Sequence, residues 1–387
     1  MQFPLGASVT VEELELDPHP LLARLREREP VSWIPALGGW LVTSYQAAIE
    51  VMRDAQRFTV ADSRFSTARV LGVSMLSLDG DEHRRHREAF AQPLRPREVH
   101  AQFATMIEVE ATRLLERLAP AGAAELRRGF AGPLAASVIA RALGLDGDAG
   151  AQVLAGYDAI VAAVNEITTG TGTGGAGALA FEALRGRLEA AIGAKAGESL
   201  LSAAATSAGL TADELASNAG VLLFGGVETT EGMIANALLQ LLERPDVLAA
   251  VRADDALVDA AIEESLRLEP AAAMVDRYAT TDGILAGAAI QAGELVRVSL
   301  SAANRDPDVF ERPERFDLRR RDRRSHLAFA HGPHVCLGVH LARLEARIAV
   351  RHVLACLPGL RLHPAAAAQV RGLVFRKPPS LNVLWEP

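Results

Sequence analysis

The sequence FAHGPHVCLG, Phe329–Gly338, contains one of only two cysteines in the chain, Cys336, among glycines, a proline and two histidines. The residues after it, LGVHLARLEARIAVRHVL, have a helical apolar period. That face consists of Leu337, Leu341, Leu344 and Ile348. Cys336 is therefore predicted just ahead of a helix N-terminus, where unpaired amides and the helix dipole favour a thiolate over a thiol.

Three interpretations of Cys336 compete. It is an inert buried thiol, a zinc ligand together with His331 and His334, or a thiolate ligand of a larger cofactor. A structural zinc site needs four ligands, and no second Cys or His pair stands at the usual spacing. For an isolated cysteine the buried thiol is the commonest outcome. The loop alone leaves the choice open.

The composition restricts the class of protein. The chain has 387 residues, 49% of them hydrophobic and 23% charged, as expected for a globular protein with a substantial core. Its net charge of −8 argues against a nucleic-acid or membrane-surface binder. The N-terminal sequence has no basic region followed by an apolar run, and no apolar run approaches the roughly 20 residues that span a bilayer. With two cysteines there is no disulfide framework, so the expected location is cytoplasmic.

The hydrophobic periodicity is mainly helical, which predicts a mainly α (α+β) fold with small sheets and one domain over residues 1–387. Helices are predicted near 20–28, 44–54, 81–90, 101–118, 134–143, 151–166, 179–192, 212–241, 247–268 and 337–356. Strands are predicted at 40–43, within 284–300 and near the C-terminus. The segment TTGTGTGGAGALA, Thr168–Ala180, is predicted to be a flexible connection, either a spacer or a mobile lid.

A second unusual segment, NAGVLLFGGVETTEGMIANALLQLL, starts at Asn218. It is apolar and helical, yet Gly225, Gly226, Glu228 and Thr229 interrupt its centre. A glycine inside a helix costs about 1 kcal/mol relative to alanine, and an unpaired buried carboxylate costs more. Glycines let a flat ligand approach the backbone, and an acid beside an alcohol can relay protons. A core helix kinked by glycine is the alternative.

Two further pairs are weak signals when taken alone. Glu264 and Arg267 have the i, i+3 spacing of a helical ion pair, and Arg315 is a candidate third member of a charge network. His83 and Arg87, at i and i+4, present two donors suited to a carboxylate. Such pairs are also common on solvated surfaces.

Together these residues resemble the cytochrome P450 family of haem-thiolate monooxygenases, over nearly the whole chain and in the family's order. The cysteine-loop signature is matched by Phe329, Gly332, His334, Cys336 and Gly338. The oxygen-binding helix, about 212–241, is matched by Gly225, Gly226, Glu228, Thr229 and Thr230. The Glu-x-x-Arg helix and its partner arginine are matched by Glu264, Arg267 and Arg315.

The resemblance implies that Cys336 is the axial ligand of haem b and that Glu228 and Thr229 deliver protons. The implied ligands of the haem propionates are His83, Arg87, Arg277 and His334. His86 and His331 match no ligand position and are interpreted as local structure. The connection at 168–180 corresponds to a region that joins two helices over the family's substrate channel, which favours the lid.

The implied reaction uses O2 and two electrons to hydroxylate or epoxidise a small to medium apolar organic molecule, with a role in secondary metabolism. The chain has no fused reductase, so a separate ferredoxin and ferredoxin reductase are the implied electron donors, and a monomer is expected. Five arginines against one aspartate between Arg319 and Arg324 are a candidate docking surface for an acidic ferredoxin. The alternatives are a peroxide-driven peroxygenase and a non-catalytic haem-binding protein; the pair Glu228 and Thr229 argues against both.

Overall fold

Helices make up 59% of the residues that the structure describes. The computed structural model describes residues 3–145, 149–193, 199–207, 209–366 and 368–386. The N-terminal region contains α1 (Pro4–Ser8), α2 (Val11–Leu16), α3 (His19–Arg28), β1 (Val31–Ile34), β2 (Gly39–Val42), α4 (Tyr45–Arg53) and β3 (Phe58–Thr59). The following region contains α5 (Ser66–Leu71), α6 (Gly80–Ala91), α7 (Pro96–Leu118), β4 (Ala123–Glu125), α8 (Gly132–Ala142), α9 (Ala149–Thr169), α10 (Gly175–Gly193), α11 (Leu200–Ser207) and α12 (Ala212–Leu242).

The C-terminal region is more mixed. It contains α13 (Pro245–Ala253), α14 (Leu257–Leu268), β5 (Met274–Ala279), β6 (Gly283–Leu285), β7 (Ala288–Ile290), β8 (Leu295–Ser299), α15 (Leu300–Ala303), α16 (Val339–Cys356), β9 (Arg361–Leu362) and β10 (Asn382–Leu384). Among the described residues, none of these helices is long and apolar enough to cross a membrane.

The chain divides into two compact units, each assembled from separate stretches of sequence. The first unit comprises residues up to Val60, Gly232–Cys336 and Pro358–Glu386; the second comprises Ala61–Glu231 and Leu337–Leu357. The single domain predicted over residues 1–387 stays a prediction.

A five-stranded sheet of order β1-β2-β8-β5-β3 organises the first unit. Its central pair, β2 and β8, is parallel, with Trp40 opposite Val296, and the other pairs are antiparallel. Alternate residues of β2 and β8 point to one face of this sheet, where they pack with Val51 and Met52 of α4. Helix α4 in turn contacts residues 332–334, so the sheet supports the cysteine loop.

Helix-on-helix packing builds the second unit. The most extensive helix–helix contacts are those of α9 with α10, α7 with α16 and α8 with α9. Gly177 allows α9 and α10 to approach closely, because an added Cβ there would lie only 2.3 Å from the Cβ of Ala163. Phe181 of α10 and Ile139 of α8 pack against α12 at Gly220 and Gly226.

The predicted mainly α fold with small sheets is confirmed, whereas three details of the sequence prediction were wrong. The helix predicted at 247–268 is two helices, because Asp254 ends α13 and its side chain accepts from the amide of Ala256. The predicted flexible connection at 168–180 shrinks to residues 170–174, since most of its length belongs to α9 and α10. Strands β1 and β5 were missed because strand propensity depends strongly on the neighbouring strands: β1 forms a hairpin with β2, and β5 pairs with β8 and with the distant β3.

Candidate active site

The cysteine loop is held by its own backbone. The amide of Cys336 donates to the carbonyl oxygen of Phe329 at 2.9 Å, which closes the loop. Residues 332–334 form a 3₁₀ turn, and the amide of Val335 donates to Gly332 at 3.1 Å. Gly332 is required here, because its φ is +74° and an added Cβ would lie 2.4 Å from the carbonyl oxygen of Met52 in α4.

The start of the loop is anchored to α14. His326 is buried, and its Nε2 lies 3.1 Å from a carboxylate oxygen of Glu263. Its ring centroid is 6.1 Å from that of Phe329. The amide of Leu327 donates to the side chain of Asn304 at 2.6 Å. Side-chain contacts therefore fix the position of Phe329 before the turn begins.

The side chain of Cys336 is exposed, which rules out the inert buried thiol. Gly338, the N-cap of α16, follows two residues later and has φ −84°. The zinc alternative also fails: in the part of the chain that the structure describes, His331, His334 and Cys336 do not form a metal-binding group. Cys336 is thus an accessible sulfur at the start of a long helix.

The one set of described residues with metal-ligand spacing lies elsewhere, in the second unit. It consists of Glu82, His86 and Glu214. Arg85 already occupies the cation position, since its Nη2 is 2.7 Å from Glu82 and 2.6 Å from Glu214. His86 accepts a bond from Asn218 at Nδ1, 2.9 Å away, as expected for local structure.

Helix α12 presents a half-exposed stripe along an otherwise buried segment. Leu222, Gly225 and Thr229 lie on this stripe, one turn apart. The Thr229 hydroxyl donates to the carbonyl oxygen of Gly225 at 2.7 Å. A Cβ added to Gly225 would meet no other atom within 4 Å, whereas one added to Gly226 would lie 2.9 Å from Ile139 of α8. Gly226 therefore has a packing role, and Gly225 leaves open space beside the helix.

Glu228 points into the second unit and not along this stripe. It is 2% exposed, and the hydroxyl of Tyr157, which is itself 3% exposed, donates to its carboxylate. Tyr157 was missed in the sequence because it lies on α9, 71 residues away, and one tyrosine in a helical apolar pattern is typical of a core residue.

The predicted charge network exists with one different member. Glu264 accepts from Nε and Nη2 of Arg267 at 2.9 and 3.0 Å, and all of both side chains is buried. The second guanidinium on Glu264 belongs to Arg320, whose Nε is 3.0 Å away. Arg315 is exposed and contributes only its backbone carbonyl oxygen, which accepts from Arg267 and Arg320. The prediction of Arg315 as the third charge was wrong.

Burial lowers the pKa of Arg267, and its bonds to Glu264 oppose that shift. A guanidinium stays charged in either case. Its Nη1 reaches the carbonyl oxygens of Asn304 and Pro313, at 3.2 and 2.6 Å. The network thus holds the irregular chain after α15 against α14, and this chain leads into the cysteine loop.

The four predicted propionate ligands are divided between the units. In the second unit, His83 is buried and Arg87 half-buried, one turn apart on α6. In the first unit, Arg277 is buried on β5, where its Nη1 donates to the carbonyl oxygen of Asp276 at 2.7 Å. His334 ends the 3₁₀ turn of the cysteine loop and is half-buried.

The basic segment is less exposed than its sequence suggests. Arg320 is buried on Glu264 and Arg323 is half-buried, with Nη1 on the carbonyl oxygen of Arg320 at 2.7 Å. The side chains left at the surface are Arg319, Arg321 and Arg324.

Comparisons with known proteins identify the family. A profile described as Cytochrome P450 matches residues 198–356, which include α12 and the cysteine loop. Cytochrome P450 monooxygenase PikC of Streptomyces venezuelae is 38% identical over 371 residues, covering 91% of this chain and 86% of the relative. Nocardicin C N-oxygenase of Nocardia uniformis subsp. tsuyamanensis is 35% identical over 408 residues, covering 99% and 98%.

The solved structures give the same result. The crystal structure of P450BioI in complex with hexadec-9Z-enoic acid ligated acyl carrier protein matches with a TM-score of 0.87 and 30% identity, covering 97% of this chain and 100% of that one. Sequence and fold thus agree along almost the full length. The chain belongs to the cytochrome P450 family and is a haem b-dependent monooxygenase, an oxidoreductase that incorporates molecular oxygen.

Proposed function

We propose that Cys336 is the axial thiolate ligand, that Glu228 and Thr229 deliver protons, and that the enzyme hydroxylates or epoxidises an apolar organic molecule of secondary metabolism. One observation carries the proposal: an exposed cysteine ends a loop whose backbone is fixed at Phe329 and Gly332. A rigid loop that presents a sulfur ahead of a helix N-terminus is suited to holding a thiolate in one orientation.

The donor set of the chain fits haem b. A soft, accessible sulfur is a ligand for iron. The open space beside Gly225 admits a flat group against the backbone of α12, because a side chain there would fill it. The propionates would be held by His83, Arg87, Arg277 and His334. These four donors suit two carboxylates in number, and Arg87 and Arg277 supply positive charge.

Bound haem supplies the activation of O2, in which two electrons and two protons place one oxygen atom in the substrate and release the other as water. The protein's part is to hold the thiolate and to move protons. Cys336 precedes α16 in the chain, a sequence position that favours a thiolate. The Thr229 hydroxyl both donates and accepts, so it can hold a proton at Oγ1 while its bond to Gly225 fixes its position. Glu228 replaces that proton.

The substrate class follows from the lining of α12 and from the relatives. Leu222 and Gly225 on the half-exposed stripe offer apolar surface, which favours an apolar molecule. The printed names of the relatives refer to N-oxygenation of nocardicin C and to a fatty acid carried on acyl carrier protein.

Electrons are proposed to come from a separate ferredoxin and its reductase. The support is the group Arg319, Arg321 and Arg324, three exposed cations on a chain with net charge −8. Such a local excess attracts an acidic partner and speeds its association. A cytoplasmic monomer is the form proposed for this exchange, since ferredoxin and substrate both reach it by diffusion.

A turnover assay tests the proposal. The purified holoenzyme is given an apolar substrate chosen by its spin-state shift, with reductant plus O2 in one arm and hydrogen peroxide alone in the other. Turnover in the first arm is expected. Thr229→Ala should lower product per reductant and release hydrogen peroxide, and Thr229→Ser, which keeps the hydroxyl, should restore coupling. Full coupling in Thr229→Ala contradicts the proton-delivery role, and turnover in the peroxide arm without turnover in the O2 arm contradicts the proposed reaction.

A further inference from the structure

The hydrogen bond between Tyr157 and Glu228 joins α9 to the acid of the oxygen-binding helix. Both side chains are almost fully buried, at 3% and 2% exposure. The phenol hydroxyl donates to one carboxylate oxygen of Glu228. A hydrogen bond between two buried side chains fixes the acceptor's position, because no water can replace the donor. The geometry of Glu228 is therefore set from α9 as well as from α12.

A second carboxylate, one turn further along α12, belongs to the same environment. Glu231 is fully buried, with Arg127 Nη1 3.2 Å and Arg128 Nε 3.6 Å from its Oε1. Burial lowers the pKa of Arg128, but the carboxylates of Glu231, Asp158 and Glu228 raise it overall. Arg127 and Arg128, which precede α8, thus compensate the buried carboxyl groups of α12.

Glu228 and Thr229 are neighbours in sequence, yet their side chains leave α12 in directions about 100° apart. Thr229 lies on the half-exposed stripe, bonded to Gly225, while Glu228 is directed to Tyr157. Because proton transfer needs donor and acceptor within hydrogen-bond reach, the orientation of the Glu228 carboxylate decides how readily it supplies Thr229. Tyr157 is the group on α9 that fixes this orientation.

We propose that Tyr157 is a positioning residue for proton delivery: its hydroxyl sets the orientation of the Glu228 carboxylate and so couples α9 to the acid of α12. The inference rests on the proposed role of Glu228. It adds a residue outside the acid–alcohol pair and predicts that a single hydroxyl on α9 affects how efficiently electrons are converted to product.

The contact itself is tested without turnover. The chain contains three tyrosines, so fluorotyrosine labelling gives three fluorine resonances, assigned by Tyr→Phe substitution in the diamagnetic, carbon monoxide-bound reduced holoenzyme. Glu228→Gln should shift the resonance of Tyr157 and leave those of Tyr45 and Tyr278 in place. An unchanged Tyr157 resonance overturns the proposal.

The role is tested with Tyr157→Phe, which keeps the ring and removes only the hydroxyl. Product formation should fall about tenfold, the effect of losing one buried hydrogen bond. Hydrogen peroxide should rise, the solvent deuterium isotope effect should change, and the spin-state titration with substrate should not. The matched control is Tyr45→Phe, which removes a hydroxyl that donates to the carbonyl oxygen of Ser325 at 2.7 Å in the first unit; it should keep wild-type coupling.

The double variant distinguishes the role of Tyr157 from the role of Glu228. If Tyr157 acts through Glu228, Tyr157→Phe combined with Glu228→Gln should be no worse than Glu228→Gln alone. Additive losses, or wild-type coupling in Tyr157→Phe while Glu228→Gln is uncoupled, overturn the role of Tyr157 only. Wild-type coupling in Glu228→Gln removes the proposed role of Glu228, and the positioning role fails with it.

Discussion

Arg320, and not Arg315, contacts Glu264: its Nε lies 3.0 Å from Oε1, and Arg267 binds both oxygens of the same carboxylate. All three charged side chains are buried, with Arg320 at 7% exposure. Arg315 contributes a backbone oxygen that any residue would supply. The identity of the side chain is therefore important at position 320 and unimportant at position 315.

Substituting the two arginines tests this difference. Arg320→Gln should lower the free energy of unfolding by about 3 kcal/mol, because it leaves part of a buried carboxylate uncompensated. The matched control Arg315→Gln should change it by less than about 0.5 kcal/mol, as for an exposed side chain. Urea unfolding of both holoenzymes measures the effect. Equal destabilisation would contradict the assignment of Arg320.

The neighbouring glycines of α12 should respond differently to alanine. Gly226→Ala should destabilise the fold by about 1 kcal/mol or more, because the new Cβ would meet Ile139 at 2.9 Å. Gly225→Ala should stabilise the haem-free chain by about 1 kcal/mol through helix propensity, but it should weaken haem binding. Thermal unfolding and haem titration measure the two effects. Unchanged haem affinity in Gly225→Ala would contradict the role of the open space.

Stability should depend on pH through Glu345 of α16. Burial raises the pKa of this carboxyl from 4.5 to about 8, and its Oε1 has no hydrogen-bond partner among the described residues. The unfolded chain releases this proton near pH 4.5, whereas the folded protein retains it up to about pH 8. The contribution of Glu345 to the free energy of unfolding is therefore fully present below pH 4.5. It falls by up to about 1.4 kcal/mol per pH unit towards pH 8. Glu345→Gln should flatten this slope in urea titrations; an unchanged slope would contradict it.

Charge reversal of the exposed arginines tests the ferredoxin surface. Replacing Arg319, Arg321 and Arg324 with glutamate should slow reduction by an acidic ferredoxin about tenfold or more at low salt, and the deficit should shrink as salt screens the charges. The control triple has the same change in net charge on the surface of the second unit, at Arg95, Arg97 and Arg117. Stopped-flow reduction measures both. Equal slowing in the two variants would point to net charge and not to a docking surface.

Local signals in the sequence predicted much of the fold. Cys336 and the apolar period after it predicted the loop and α16, and the period around Gly225 predicted α12. The break between α13 and α14 at Asp254 carries neither glycine nor proline, so periodicity continued across it. Some strand pairs join residues far apart, such as Trp40 with Val296, and no local pattern specifies such partners.

Site residues could be predicted where a motif fixes their spacing in the sequence. They could not be predicted where only tertiary contacts bring the side chains together. Glu264 and Arg267 are three residues apart, so helical geometry alone brings them together. Arg315 and Arg320 lie in irregular backbone among several arginines, and only the fold selects the one that reaches Glu264. Tyr157 is likewise brought to Glu228 by the packing of α9, which leaves no trace in either local sequence.

The most direct test of the central claim exploits the two cysteines, both exposed in the structure. The carbon monoxide difference spectrum of the reduced holoenzyme reports whether a thiolate is bound to the haem iron. We expect Cys356→Ser to keep the thiolate spectrum of the wild type and Cys336→Ser to lose it. A thiolate spectrum that survives Cys336→Ser would contradict the account.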